Sequence, residues 1–218
     1  MTEDHSTEQM QTRLLRAGDP AAVYEAAAWL RRGFPVVFPT DTVYGIGTTP
    51  YEAAAIERLY AVKGRPTTKG IPILLADPAA LDAVAGAIPP AAHALIARFW
   101  PGPLTLIVPR APHLPDAISP NDNIAVRIPD HDITRALIRE AGGAVATTSA
   151  NLSGQAPFRN GAAAMTAFNG LVAVVLDDGP SPGDRPSTIV DCTTATPEIV
   201  RVGPLSAADL GLTGGALS

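Results

Sequence analysis

Lys63-Gly64-Arg65 and Ser149-Ala150-Asn151 are two short polar runs, each set at the end of an apolar, structure-forming segment. Together they offer two cations and two neutral hydrogen-bonding side chains. That set suits a polyphosphate held without a Walker loop, with lysine as a point charge and arginine as a planar fork. A plainer reading stands beside it, because cations near a helix C-terminus also meet the helix dipole, for about 0.3–1 kcal/mol at a surface. Hydroxyl and amide residues collect at further strand ends, at 40–42, at Thr105, at 147–151 and at Ser187-Thr188. Any one of these loops is ordinary turn chemistry. Ligand crevices in α/β sheets lie beyond strand ends, so four such loops beside two cations point to one polar cleft.

Other chemistries leave no trace at the right spacing. There is no Gly-x-Gly-x-x-Gly after a strand, no Gly-x4-Gly-Lys-Ser/Thr and no Gly-x-Ser-x-Gly elbow. The histidines at 5, 93, 113 and 131 lack metal-ligand spacing, and Asp177-Asp178 precedes a Gly/Pro loop where turn chemistry is expected. A lone Cys192 forms no internal disulfide framework and reads as core filler in a reducing cytosol. At 218 residues and 46% hydrophobic the chain can bury a proper core, with one domain favoured. A net charge of −5 argues against a chain-wide pull on nucleic acid or anionic lipid but leaves a local basic cleft open. No apolar run approaches a membrane span, so a soluble cytoplasmic protein with no membrane contact is expected.

Proline and glycine punctuate the elements. Asp19-Pro20 caps a helix over 21–32 that leaves at Gly33, and Val36 to Phe38 is a buried strand running into the polar loop 39–42. Thr49-Pro50-Tyr51-Glu52 reads as a capping box for a helix to about Val62, which places Lys63 and Arg65 just past its end. Further helices open at Asp77-Pro78, Pro89-Pro90, Asp130 and Asn160, and strands are expected at 71–75, 104–108, 124–128, 144–146, 171–176, 187–192 and 199–202. Interleaving of this kind implies an α/β (mixed α+β) single domain, a sheet of about seven strands flanked by helices. The expected division is a loose extension over 1–19, a catalytic domain over 20–204 and a short tail over 205–218.

Six segments in one order carry a family resemblance: Pro39 to Gly47, Lys63 to Pro66, Trp100 to Thr105, Val126 to Pro129, Thr148 to Gly154 and Ser187 to Asp191. The chain resembles the YrdC/Sua5 family of threonylcarbamoyl-AMP synthases from about Ala21 to Gly203. The resemblance implies a twisted mixed sheet around a large basic cavity. It also implies a reaction in which L-threonine, bicarbonate and ATP give threonylcarbamoyladenylate and pyrophosphate, for the modification of adenosine 37 in tRNAs that read ANN codons. Lys63, Arg65, Ser149 and Asn151 match the family's catalytic tetrad, which also contacts ATP. Thr40, Arg127, Thr147 and Ser187 match positions that hold threonine, with Arg127 as its carboxylate partner. Thr67, Asn123 and Arg201 match nucleotide-side positions, and Lys69 and Thr105 are further candidates at the cleft.

Mg²⁺ is expected with ATP, its ligands supplied mostly by the phosphates because no carboxylate cage is evident. A threonylcarbamoyl transferase complex is the expected downstream partner, with a weak RNA contact a further candidate. Longer family members append a second domain, so this chain reads as the short form, and a lid over the nucleotide would come from the first 20 residues or from a partner. Gly70-Ile71-Pro72 stands where many relatives place Pro-Leu directly after the lysine. Two rival readings are a carbamoyl-transfer module, as in hydrogenase-maturation proteins, and a non-catalytic RNA-binding module.

Overall fold

The computed structural model describes residues 11–152 and 154–212. Its strands are β1 (Arg13–Arg16), β2 (Val36–Phe38), β3 (Gly45–Thr48), β4 (Ile73–Leu75), β5 (Leu104–Pro109), β6 (Asn123–Arg127), β7 (Ala144–Ser149), β8 (Val174–Asp177), β9 (Thr188–Asp191) and β10 (Glu198–Arg201). All ten join one mixed sheet in the order β1-β8-β2-β3-β7-β4-β6-β5-β9-β10. The helices are α1 (Pro20–Arg31), α2 (Ala53–Lys63), α3 (Pro90–Phe99), α4 (Asp132–Glu140), α5 (Gly161–Phe168) and α6 (Ala207–Leu210).

Alternation along the strands sorts the apolar side chains into two layers. Ile46, Ile73, Leu104, Leu106, Val126 and Val190 pack on one face with Ile56 and Leu59 of α2, Leu95 of α3 and Phe168 of α5. Val36, Phe38, Leu74, Val145 and Val174 pack on the other with Ala26 and Leu30 of α1 and Leu137 and Ile138 of α4. That second layer draws its strand residues from β2, β4, β7 and β8. Over β6, β5 and β9 the same face lines a cavity instead, with Ala125, Ile107 and Ile189 among its walls.

Several local expectations are corrected. The sheet has ten strands where about seven were expected, and one addition comes from the supposedly loose N-terminal extension. Arg13 to Arg16 pairs in parallel with Val174 to Asp177, and Thr12 Oγ1 donates to the Val172 carbonyl at 2.6 Å. Nothing local to an Arg-Leu-Leu-Arg segment announces a strand, because the pairing edge of β8 supplies the reason for it. Residues 1–10, half of the segment expected as a lid, lie outside the described residues, as do 213–218 of the tail. The described part of the tail holds α6, closed by a reciprocal Ser206–Asp209 capping box.

The capping box read at Thr49 does not form. Glu52 is the N-cap of α2 without a side-chain bond, while Thr49 Oγ1 accepts from the Tyr51 amide at 3.4 Å. A local hydroxyl turn has won over the cap there. At α4 the cap is His131, not Asp130, its Nδ1 accepting from the Thr134 amide. Asp77-Pro78 opens a 3-10 segment over Pro78–Ala83 rather than an α-helix.

Glycine in β3 has a steric cause. A Cβ on Gly47 would stand 2.7 Å from the Ala146 carbonyl oxygen and 2.7 Å from Val145 Cγ1. β3 lies between β2 and β7 and has no free side to move toward. Gly47→Ala is therefore expected to destabilise the fold by about 1–3 kcal/mol, the range for overpacking. Urea unfolding reads this directly, and an unchanged midpoint would show that β3 and β7 can part.

Candidate active site

The cavity on the uncovered half of the sheet has a volume of about 460 Å³. Its floor follows from strand alternation: Val126 and Ile124 of β6 point into the core, so Asn123, Ala125 and Arg127 face the cavity. On β5 and β9, Thr105 and Ile107 lie beside Ile189 and Asp191 in register. The ends of β3 and β7 add Gly45, Thr147 and Ser149.

The two polar runs meet, through a lysine that is not at the surface. Lys63 is the last residue of α2 rather than a residue beyond it, and Gly64 takes the left-handed C-cap at φ 57°. Its side chain is buried. Lys63 Nζ donates to the Ser149 carbonyl at 2.6 Å, to Asn151 Oδ1 at 2.7 Å and to the Asn151 carbonyl. Three N–H donors meet three acceptors, none of them on its own helix, so dipole capping does not describe this residue. Ser149 Oγ donates to the same Asn151 Oδ1 at 2.7 Å, and Asn151 Nδ2 donates to the carbonyls of Leu152 and Gln155. Lys63 and Asn151 thus stand behind the wall, whereas Ser149 and Arg65 line the cavity.

Arg65 spends two donors on its own loop, Nε to the Lys69 carbonyl at 3.2 Å and Nη2 to the Gly70 carbonyl at 2.9 Å. The remaining N–H groups of its fork are left for a ligand. Thr67 and Lys69 do not line the cavity, and the neighbouring Thr68 does.

Across the floor a second network gathers Thr40, Thr105, Arg127, Thr147, Ser187 and Arg201, all on the cavity lining. Arg127 donates from Nε to the Gly102 carbonyl at 2.9 Å, from Nη1 to Thr42 Oγ1 at 3.0 Å and from Nη2 to Asp41. The expected carboxylate partner is therefore already half committed: three of five donors meet the protein and two remain. Asp41 offsets the cost of burying this guanidinium. Ser187 Oγ lies 2.7 Å from Thr105 Oγ1, and Arg201 holds the Ser187 carbonyl through Nε at 3.0 Å and Nη2 at 2.9 Å. Thr40 Oγ1 donates to the Val43 carbonyl at 2.6 Å and closes the 40–43 turn.

Among the described residues, the lining carries three guanidinium groups, of Arg65, Arg127 and Arg201, against the single carboxylate of Asp191. Burial lowers the pKa of all three arginines, and for Arg201 the nearby Arg127 lowers it further. Sequence reasoning missed Thr68, Ser119 and Asn121 as lining residues, and Asp191 as more than part of a motif. For Asp191 the signal was available, since it follows Ile189 on β9 and Ser187 just before that strand at period two. Cys192 points away into the core, where burial and then Asp191 push its thiol up to about 11. Asp177 is turn chemistry as expected, its Oδ1 accepting from the amides of Gly161 and Gly179.

A ten-strand mixed sheet with this cavity on one face is a known architecture. The family model for Sua5, YciO and YrdC proteins, described as "Telomere recombination", matches residues 28–203. The chain is 38% identical over 197 residues to a threonylcarbamoyl-AMP synthase of Bacillus subtilis, covering 88% of this chain and 56% of that protein. It is 38% identical over 185 residues to a putative threonylcarbamoyl-AMP synthase of Mycobacterium tuberculosis, covering 84% and 85%. The structure of Sua5 from P. abyssi complexed with L-threonine superposes with a TM-score of 0.87 at 33% identity, over 92% of this chain and 60% of that one. The chain therefore belongs to the Sua5/YciO/YrdC family. It spans little more than half the length of the Bacillus relative.

Lys63 gives the site a pH signature. Burial first, and Arg65 second, lower its pKa from 10.5 to about 8. The unfolded chain then holds this proton more tightly than the folded one, so between about pH 8 and 10.5 the unfolded state binds more protons and stability rises with pH. The unfolding free energy of the wild type relative to Lys63→Met should climb by up to about 3 kcal/mol across that window, at about 1.4 kcal/mol per pKa unit. Urea titrations at its two ends measure it; a flat difference would mean the amine is not held in a charge-averse setting.

Proposed function

We propose that this chain makes threonylcarbamoyladenylate and pyrophosphate from L-threonine, bicarbonate and ATP. The observation that carries the reading is one cavity bounded by Arg65 and Ser149 on one side and by Thr40, Thr105, Arg127 and Ser187 on the other. The first group suits phosphate, the second an amino acid. That a relative is named a threonylcarbamoyl-AMP synthase, and that P. abyssi Sua5 was solved with L-threonine, supports the same division.

The threonine amine first combines with bicarbonate to give a carbamate and water. A carbamate oxygen then attacks the α-phosphorus, and the bond to pyrophosphate breaks. Positioning and charge stabilisation dominate such a step. Arg65 would hold phosphate oxygens through its free N–H groups, with Ser149 Oγ beside it. Lys63 would act from behind, its ammonium fixing the Ser149 and Asn151 backbone and adding positive charge to the phosphate side. The two remaining Arg127 donors would take the threonine carboxylate, and the Ser187–Thr105 pair would lie within the amino-acid subsite. Asn123 and Arg201 would face the nucleotide.

Mg²⁺ would arrive with ATP and shield its phosphates. Among the described residues no group of three His, Cys, Asp or Glu could form a cage, so the phosphates would supply most of its ligands. Among those residues no helix is long and apolar enough to cross a membrane. The product would pass in the cytoplasm to a threonylcarbamoyl transferase acting on adenosine 37 of tRNAs that read ANN codons.

Pyrophosphate release from ATP and bicarbonate is expected to depend on L-threonine. Threonine-independent release, or none, would favour carbamoyl transfer or a binding role instead. Arg65→Ala should reduce the rate by about 10²-fold or more, the scale of a lost charge partner in the transition state. Ser187→Ala should raise the KM for threonine more than that for ATP. The reverse pattern would reassign the β9 end to the nucleotide.

A further inference from the structure

Among the described residues, Asp191 is the one carboxylate on the cavity lining. Every other polar side chain there is a hydroxyl, an amide or a guanidinium. Hydroxyls and amides can both donate and accept, and guanidinium groups only donate; an ionised carboxylate only accepts. Among the described lining residues Asp191 alone accepts without donating, so it alone selects for a ligand edge that offers a donor.

Its placement matches such a role. Ala125 and Asp191 flank Ile107 across the sheet in register, and Ile189 precedes Asp191 by two residues on the same face. Neighbouring strands lie about 4.8 Å apart, so these three apolar side chains form a flat seat of about the width of a purine, with the carboxylate at its rim. The carboxylate is held in place: its Oδ1 accepts from the Thr193 amide at 2.8 Å and from Thr193 Oγ1 at 2.6 Å. No donor among the described residues meets Oδ2, and neither Arg201 nor Arg127 pairs with it.

We propose that Asp191 selects adenine over other purines, its Oδ2 accepting from the exocyclic amine while the ring rests on Ile107, Ala125 and Ile189. This specificity rests on the synthase reading above. Adenine presents an amine at position 6, whereas guanine and hypoxanthine present a carbonyl oxygen there. A carbonyl set against a fixed carboxylate leaves two acceptors facing each other, each without a donor, and a site of that kind rejects the wrong partner strongly.

Asp191→Asn is the informative variant. Its Oδ1 can still take both Thr193 bonds, so the turn is kept, while the second position changes from acceptor to donor. Pyrophosphate release is measured with ATP, GTP and ITP for wild type and variant, beside calorimetric binding of AMP and IMP without turnover. The wild type should prefer ATP, and in the variant the ATP:ITP ratio of kcat/KM should fall by about 10²-fold, mainly through KM. The AMP:IMP affinity ratio should fall in parallel.

An equal loss for every nucleotide would reassign Asp191 to the ribose or to the turn alone and overturn the proposal. An unchanged ratio, or a wild type indifferent to the base, would also overturn it. If no nucleotide yields pyrophosphate in the wild type, the synthase reading fails by itself, and the AMP and IMP affinities still decide the role of Asp191.

Discussion

Everything at this site depends on a buried ammonium. Lys63 Nζ reaches out of the end of α2 to three oxygens of Ser149, the last residue of β7, and Asn151 just past it. Burying a charge is costly, and the bonds made by all three donors offset only part of that cost, since burial still lowers the pKa of the amine. The same bonds fix the Ser149-Asn151 turn, which the main chain also clamps: the Ala150 amide donates to the Tyr44 carbonyl at 2.7 Å and the Phe158 amide to the Ala150 carbonyl at 2.8 Å. One helix end, one strand end and the 44–45 corner are thereby locked together. The cavity wall that carries Ser149 is rigid because the lysine behind it is spent on structure.

A second buried cation plays the matching part across the floor. Arg127 ties the 41–42 turn to the Gly102 carbonyl, with Asp41 balancing its charge. The half of the sheet that α1 and α4 leave uncovered begins at β6, the strand that carries Arg127. The arrangement explains why a chain of net charge −5 can offer an anion site. Positive charge is concentrated on one concave face whose low-dielectric walls focus it, and of the described acidic residues only Asp191 lines that face.

Much of the fold was legible where local chemistry is decisive. Asp19-Pro20 and Asn160 cap their helices as read, with Asp19 accepting from the Ala21 amide and Asn160 from the Ala163 amide. The buried strands 36–38 and 104–108 were plain from their apolar runs. Legibility failed where a distant partner decides. β1 exists because β8 has an open edge; the Thr49 cap, by contrast, lost to a local competitor, the turn that its own hydroxyl makes with Tyr51. Within the site, residue types were readable but their sides were not. Thr67 and Lys69 were named where Thr68 lines the cavity, because a Gly/Pro loop has no period from which to read direction.

By itself the sequence determined an α/β layered domain, the order of its polar strand ends, and a residue set suited to phosphate, while the amino-acid side was what the family resemblance implied. Those properties live in composition, alternation and punctuation along the chain. Only the tertiary structure decided that Lys63 faces inward to backbone carbonyls, that Arg127 keeps two donors free after Asp41 and Thr42 have taken theirs, and that Asp191 stands at the rim of an apolar seat. Each is a matter of which groups far apart in the chain share one small, poorly hydrated space, where every donor must find an acceptor.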